Sequence, residues 1–433
     1  MSNSYKGLMV VIPTRNRASL AINAILSVLN QPNCGDIKIL VSDNSTDLNE
    51  VETLFQFCQE NNDERLNYIK PTKPLCMTKH WDWAINQALE KYNANHFLYL
   101  TDRMLFKADQ LKEVINIIKR YSSDIIFYHH DRIKDDTKPI KLEHMNWTGK
   151  IYRVKSTRLL YLSSQSILHP LPKMLNSVTP RNILNQILSK YQNIFSSISP
   201  DYNFCYRSLE VVESVLYFDK APIVHYALSR SNGASLSKGV KSQDLDDFIA
   251  NLGQLEPCSS APIPCLKTVG NAIFHEYCFV KKETGSDKFP DINMNSYLSY
   301  LSNEINEIVN FENRLEMKKI ISFYQENNTI KNISASSVEK IIKKIFKNLL
   351  KPISGWNKIV IILSKNKLIQ KAFLFLGYDF GIRPPAYADC HLNFDTTEQA
   401  IDYMNNFPIT RLEAISTNLH IEELFETDAI DIF

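Results

Sequence analysis

The sequence predicts an open α/β sheet for the first half of the chain, and two observations point to this fold class. Short apolar runs rich in β-branched residues alternate with longer segments of helical periodicity. Each apolar run is followed directly by polar turn residues. This alternation is typical of mostly parallel strands joined by helices that cover both faces of a sheet.

The elements follow one another in chain order. Residues 8–12 form a continuous apolar run, which indicates a buried parallel strand, and residues 18–30 have helical spacing. The same pattern of strand and helix then repeats. Further strands are predicted at 37–42, 66–69, 96–100 and 124–128, and further helices at 49–60, 80–92 and 108–121.

The pattern becomes less regular after residue 133. Loops are predicted around 134–149 and 169–180, with helical stretches between them. Two apolar segments, 215–218 and 223–226, flank a turn and predict a hairpin. The α/β pattern ends near residue 240 and the remainder is mainly helical, so we expect two domains, 1–240 and 241–433.

Composition excludes several classes of protein. The 433 residues carry 49 Lys and Arg against 47 Asp and Glu, so a uniformly basic nucleic-acid-binding protein is not expected. Only 11 glycines are present, which argues against Gly-rich phosphate loops. No apolar run reaches a length of about 18 residues, which a transmembrane helix needs. The eight cysteines form no CxxC pair. We therefore expect reduced cysteines and a cytoplasmic location.

The net charge of +2 hides two opposed blocks. Residues 331–371 contain ten lysines and one acidic residue, whereas 389–433 contain ten acidic residues and one arginine. Basic amphipathic helices over 336–376 suit either a membrane surface or a core-packed face with solvated lysines. The acidic tail either folds back on these lysines or pairs with another protomer of a homo-oligomer.

Four polar clusters follow predicted strands or open a helix. Ligands of open α/β sheets bind at the carboxyl ends of strands, and these clusters are candidates for that role. The turn after the first strand contains neither GxGxxG nor a Walker sequence, which excludes the common dinucleotide and P-loop sites. Asp43 and Asp102 either bind a ligand or serve as turn and helix-cap residues, and Asp201 either caps a helix or acts as a general base.

Taken together, these clusters resemble one family, the inverting glycosyltransferases of family 2 with the GT-A fold. The resemblance covers roughly residues 7–235 and rests on four motifs in order. They are VVIPTRNRASLAINAILSVLNQ, ILVSDNSTD, YLTDRM and SPDYNFCYRSLEVVESVLYFDKAPIVHYALSRSNGAS. Three positions depart from the family's usual residues: Ser42 and Asn44 replace an Asp and a Gly, and His80 stands where Asn is common.

The resemblance implies a role for each matching residue. Asp43 would bind uracil, Asp102 the metal or donor diphosphate, and Asp201 would be the catalytic base. His225 is a second candidate metal ligand, alternatively a core histidine. The remaining candidate nucleotide contacts are Pro13, Thr14, Arg15, Lys79 and Arg230. Mn²⁺ or Mg²⁺ is the expected cofactor, although Asp102 is followed by Arg103 rather than by a second carboxylate.

The function that the resemblance implies is transfer of a sugar from a nucleotide-sugar, by family habit a UDP-sugar, with inversion. The implied acceptor is a hydroxyl of a glycan or lipid-linked molecule in bacterial surface polysaccharide synthesis, such as lipopolysaccharide or capsule, at the inner membrane face. One alternative is a non-catalytic nucleotide-binding or scaffolding module of an assembly complex. Another is a sugar nucleotidyltransferase, which needs a Gly-rich turn that PTRNRAS lacks.

Overall fold

The computed structural model describes residues 6–32, 34–145, 147–231, 233, 258–331, 387–406 and 421–432. The basic segment 336–376 and the expected domain boundary near 240 lie outside these residues. None of the helices described has the length and apolar character needed to cross a bilayer.

Twelve strands of the described chain form one sheet, and the central strands are buried along their whole length. Strand β1 pairs in parallel with β2 and β4, and β2 pairs in parallel with β3. The main path runs β12-β8-β10-β6-β9-β4-β1-β2-β3, while β5 pairs with β10, and β7 with both β6 and β11. The strands are β1 Leu8–Thr14, β2 Ile37–Asp43, β3 Leu66–Ile69, β4 His96–Tyr99, β5 Met104–Phe106, β6 Ile126–Lys134, β7 Ile140–Met145, β8 Lys150–Lys155, β9 Ser177–Pro180, β10 Ser214–His225, β11 Tyr387–Phe394 and β12 Ala429–Ile432.

Helices cover the two faces of the sheet, as the alternating pattern predicts. The first three follow the parallel strands β1, β2 and β3, α4 follows β5, and all four bury apolar residues. The helices are α1 Ala18–Leu29, α2 Leu48–Glu60, α3 Met77–Lys91, α4 Gln110–Arg120, α5 Ser156–Ser164, α6 Arg181–Tyr191, α7 Pro200–Val211, α8 Val269–Thr284, α9 Met294–Asn306, α10 Phe311–Lys331, α11 Thr397–Asn406 and α12 Ile421–Phe425. The fold class predicted from the sequence, a mixed and mostly parallel sheet with a helical region after it, is confirmed.

Two predictions between residues 133 and 226 were wrong. Strands β7 and β9 occupy the segments expected to be loops, because alternating residues such as Ile140 and Leu142 are buried against the sheet. The expected hairpin is one strand, β10, which continues through Asp219 to Pro222 with an irregular register. Both halves of β10 pair in parallel with β6, so the turn residues make a bulge instead of reversing the chain.

The region after residue 257 shares the core of the first part. Apolar side chains of α8 and α9, including Phe274 and Tyr297, belong to the same cluster as Phe97 and Phe204. Strands β11 and β12 extend the sheet by pairing with β7 and β8. The described part of the C-terminal region is therefore packed on the α/β part and adds two strands to its helices.

Acidic residues of the tail form ion pairs with the α/β part. Glu422 contacts Lys150 at 2.9 Å and Glu426 contacts Arg158 at 2.8 Å. Asp431 also pairs with Arg120. These contacts give the described part of the acidic block a partner within the same chain.

Candidate active site

The parallel strands bring the first two sequence clusters together. Thr14 ends β1 and lies beside Asp43, which ends β2, and the Asn44 amide donates to the Thr14 carbonyl at 2.9 Å. Pro13 is buried within β1 and lies beside Ser42. The carboxyl ends of β1 and β2 therefore form one edge, as expected for an open α/β sheet.

Asp43 is fully buried and is held by two donors. The Tyr68 hydroxyl donates to Oδ2 at 2.7 Å, and the Ser45 amide donates to Oδ1 at 2.8 Å. Burial and the neighbouring carboxylate raise the pKa of Tyr68, which keeps its hydroxyl protonated and donating. An ionised carboxylate has about four acceptor positions, so Asp43 keeps capacity for a further donor.

Asp102 joins this edge after β4. Its Oδ2 accepts a hydrogen bond from the Thr14 hydroxyl at 2.9 Å, and its Oδ1 lies 3.4 Å from a guanidinium nitrogen of Arg17. Only 3% of Asp102 is exposed, so this partly balanced charge is nearly desolvated. Asp102 and Thr14, two residues singled out from the sequence, are therefore in direct contact.

Arg15 and Asn44 converge on the backbone of Leu75. The Leu75 carbonyl accepts from Arg15 at 3.2 Å and from the Asn44 side-chain amide at 2.8 Å, while its N–H donates to Asn44 Oδ1 at 2.9 Å. This bidentate contact fixes the segment that leads into α3. It also explains what the Asn44 side chain does in place of the glycine common in similar sequences.

The two other unusual residues contact each other. Ser42 Oγ lies 2.8 Å from His80 Nε2, and both residues are buried. Burial lowers the pKa of His80 to about 3, so the ring is neutral and pairs with the hydroxyl by an uncharged hydrogen bond. The two departures from the usual sequence therefore form one interaction.

The two predicted diphosphate contacts have different surroundings. Arg230 donates to the carbonyl of Asn16 at 3.2 Å, which places it beside the turn after β1. Lys79 is exposed on α3. A cation that sequence reasoning missed, Lys70, donates at 2.5 Å to the carbonyl of Ser45, two residues after Asp43. Lys70 directly follows β3 and belongs to none of the motifs found in the sequence.

Asp201 occupies the first turn of α7, after Pro200 at the start of the helix. Its side chain is half-buried, and burial raises its pKa while the nearby Lys173 ammonium opposes the shift. The Lys173 ammonium lies 5.0 Å from the ring centre of Tyr202, next to Asp201 in sequence. Sequence reasoning missed Lys173 because it lies in a segment interpreted as a loop and belongs to no motif.

His225 ends β10 beside Met104, two residues after Asp102. Its ring stacks on His130 at 3.9 Å between centres, and its Nε2 is buried without a hydrogen-bond partner among the described residues. Burial and Arg103 hold the pKa of His225 well below its usual value, so the imidazole is neutral and able to bind a metal. No three His, Cys, Asp or Glu side chains of the described chain converge as a metal cluster.

A short relay connects the Asp43 edge to the Asp201 helix. Leu75 contacts the edge, and three residues later the Thr78 hydroxyl donates to the Ser197 carbonyl at 2.7 Å. Ser197 lies in the loop that leads into α7. The candidate donor-binding edge and the candidate base are therefore linked through the start of α3.

The candidate site brings Thr14, Asp43 and Asp102 together at the carboxyl-end edge of the parallel strands, where open α/β sheets bind their ligands. Residues 9–172 match the family model described as glycosyl transferase family 2. The match covers residues 9–172 of the 433, and this region is that of a glycosyltransferase.

Similar solved structures include Staphylococcus aureus TarS. TarS residues 1–349 in complex with UDP-GlcNAc are 14% identical, with a TM-score of 0.41 over 70% of this chain and 81% of that one. The crystal structure titled TarS is 13% identical, with a TM-score of 0.40 over 71% and 50%. No curated protein matches the chain. Similarity at this level does not bear on substrate.

Proposed function

We propose that this glycosyltransferase moves a sugar from a UDP-sugar to an acceptor hydroxyl in one displacement, with inversion at the anomeric carbon. The observation that carries the proposal is the contact between Thr14 and Asp102 beside Asp43, at the ends of three neighbouring parallel strands. In an open α/β sheet this edge is where nucleotides bind.

Asp43 is the proposed recognition residue for uracil. Its remaining lone pairs can accept the N3–H of the base, which is a donor in uracil and is absent from cytosine at neutral pH. Pro13 and Thr14 border the same edge. Arg15 lies next to Thr14 and donates a hydrogen bond to the carbonyl of Leu75. We therefore expect UDP-sugars to bind in preference to CMP-sugars.

The leaving diphosphate gains negative charge as the glycosidic bond breaks, and positive groups must stabilise it. Arg17 already contacts Asp102, and Arg230 lies at the β1 turn. We assign these arginines to the diphosphate, with Lys79 as a further cation recruited from α3. Arg17 was not among the residues chosen from the sequence, although it lies in the PTRNR turn.

The residues present fit a divalent cation that is shared with the donor. Asp102 would supply one carboxylate. The second ligand would be His225 Nε2, which makes no hydrogen bond to the described residues, and His225 pairs with Met104, two residues after Asp102. Mg²⁺ is commonly bound by one or two carboxylates together with substrate phosphates. Bound there, Mn²⁺ or Mg²⁺ would neutralise charge on the leaving group.

Asp201 is the proposed general base. A sugar hydroxyl has a pKa far above 7, so it needs a proton acceptor as it attacks. Asp201 takes that proton while the diphosphate leaves from the opposite face. A pKa raised by burial brings the carboxylate closer to the pH at which a base works best.

The acceptor is proposed to be a glycan or lipid-linked hydroxyl of a surface polysaccharide, used at the inner face of the membrane. The resemblance of the sequence to family 2 is the support for this choice. The competing function is a non-catalytic module, which would keep Asp43 for nucleotide binding but would not need Asp201.

The test is donor hydrolysis and transfer by wild type and Asp201→Asn with UDP-, GDP- and CMP-sugars, in Mn²⁺ and in EDTA. We expect turnover with a UDP-sugar, loss of about 10²–10⁴-fold in kcat for the variant, and UDP affinity within twofold. Nucleotide binding without turnover would favour the module. Full activity in EDTA would contradict the proposed metal requirement. Full activity of Asp201→Asn would contradict the assignment of Asp201 as the base.

A further inference from the structure

The loop at residues 194–199 determines where Asp201 points, yet its own residues do little to hold it. Ser199 is the N-cap of α7, and its side chain makes no capping hydrogen bond. Ser197 has a φ of 64°, in the left-handed region that a non-glycine residue rarely adopts. A loop in this conformation needs outside partners to persist.

Glu276 of α8 binds the end of this loop, directly before the first residue of α7. Its Oε1 accepts the backbone N–H groups of Ile198 at 3.1 Å and Ser199 at 2.8 Å. Its Oε2 accepts the Asn203 side-chain amide at 3.1 Å, one turn into α7. Glu276 is fully buried, so its carboxyl group depends on protein donors such as these three.

The orientation of Asn203 follows from its other contact. Its Oδ1 accepts the Ser196 amide at 3.2 Å, and a backbone N–H can only donate. The Nδ2 group must therefore face Glu276 and donate to it. Asn203 thus links the loop, the helix and Glu276. Exchanging the oxygen and nitrogen of its side-chain amide would break the hydrogen bond from Ser196.

His275 holds the same loop from the neighbouring position. The Ser260 amide donates to Nδ1 at 2.8 Å, so the ring proton must be on Nε2. That Nε2–H then donates to Ser197 Oγ at 2.9 Å. The hydrogen bond contacts the loop at its one left-handed residue.

The opposite side of the loop is held by α3. Asp82 Oδ1 accepts the amides of Ile194 at 2.7 Å and Phe195 at 3.0 Å. The loop is thus fixed at its start by a helix of the α/β part and at its end by a helix of the C-terminal region.

We propose that Glu276 and His275 are positioning residues for the reaction, which fix the direction of Asp201 through the 194–199 loop. The region after residue 257 then completes the active site instead of being an appendage. This inference rests on the proposed function, because it takes Asp201 as the base.

The experiment compares wild type with Glu276→Gln, Glu276→Ala and Ser197→Ala in the full chain. Hydrogen exchange of the 194–203 peptide reports the loop, and steady-state kinetics with the active donor report its consequence. The matched control is Asp219→Asn, a buried carboxylate that accepts three hydrogen bonds from Thr148 and Tyr217. It lies six residues before His225 in β10, at the start of the bulge, and its partners Thr148 and Tyr217 are outside the 194–203 segment.

We expect Glu276→Ala to speed exchange in the loop and to lower kcat by about tenfold or more, with donor KM and UDP affinity within twofold. Glu276→Gln keeps an oxygen for Ile198 and Ser199 and should retain more kcat. Ser197→Ala should lower kcat by less than Glu276→Ala, and it tests the proposal if Glu276→Ala does not fold.

Unchanged exchange in the loop would overturn the inference, and so would faster exchange with wild-type kcat. An equal loss of kcat in Asp219→Asn would also overturn it, since the effect would then be general. A wild-type protein without turnover would contradict the proposed function alone, because exchange still reports whether Glu276 holds the loop.

Discussion

Ser42 and His80 depart together from the residues usual in similar sequences, and they share a buried hydrogen bond of 2.8 Å. Two departures that contact each other behave as one feature, since either side chain alone would leave a buried polar atom unpaired. The sequence placed both residues beside the site but gave no sign of the pairing. A contact between residues 42 and 80 depends on how β2 and α3 pack, which no local pattern encodes.

A double-mutant cycle tests this pairing. Ser42→Ala should lower the free energy of unfolding by about 1–3 kcal/mol, because His80 Nε2 loses its partner in a buried site. Adding His80→Leu should cost less than the sum of the two single changes, since both polar groups are then gone. Urea unfolding of the four proteins measures the coupling. Strict additivity would show that the two side chains do not interact.

At the scale of elements, residues 8–128 follow their sequence periodicity closely. The predicted strand at 66–69 coincides with β3, and the predicted helix at 18–30 differs from α1 by one residue. Apolar periodicity succeeds there because each of these elements is buried by local neighbours. It fails where pairing is distant: β7 and β8 receive β11 and β12 from near the C-terminus, more than 200 residues away in sequence.

The candidate site was predictable to a similar extent. Thr14 and Asp43 end parallel strands and Asp102 follows a third, so the α/β pattern led us to expect their proximity. Lys173 and Glu276 could not be found this way. They reach Asp201 and its loop from segments without motifs, and only the tertiary fold brings them there.

The short helix α12 contributes one anchor to the shared core. Phe425 is 2% exposed and its ring lies 5.1 Å from Tyr217 and 6.4 Å from Tyr152, between centres. The ion pairs around it are partly exposed and contribute little, about 0–1 kcal/mol each. We therefore attribute the docking of residues 421–432 mainly to this aromatic contact.

Phe425→Ala should lower the free energy of unfolding by about 3–5 kcal/mol, because it removes a ring from a closed core and leaves a cavity. Ile432→Ala is the control: its side chain is 56% exposed and should change stability by no more than about 0.5 kcal/mol. Chemical denaturation with both variants separates the two cases. Equal, small effects would mean that α12 does not pack on the sheet in solution.

At the scale of the whole molecule, two features govern charge: ion pairs between distant segments, and buried histidines that stay neutral. The tail carboxylates Glu422, Glu426 and Asp431 meet cations of the α/β part, so a net charge of +2 conceals ion pairs between distant segments. Burial in the folded protein keeps several histidines neutral. This second feature makes stability depend on pH.

Stability should fall as the pH drops below about 6.5, the usual pKa of histidine. Burial lowers the pKa of His80, His129 and His169 to about 3 each, so the unfolded chain binds more protons than the folded one between these values. Stability therefore rises with pH across this window and is lost on acidification, by up to about 1.4 kcal/mol per pH unit for each histidine. Glu276 acts in the opposite sense, because burial raises its pKa to about 8. Its contribution to stability therefore falls as the pH rises from the usual pKa of a glutamate toward 8.

Urea unfolding between pH 5 and 8 measures these slopes, and His129→Phe isolates one histidine. His129 Nε2 makes no hydrogen bond among the described residues and its ring packs edge-on against Tyr217 at 5.4 Å, so phenylalanine keeps the packing. The variant should flatten the acid slope by the equivalent of about one proton. A variant with the wild-type slope would show that His129 titrates normally in the folded protein, because a group with equal pKa values in both states leaves stability independent of pH.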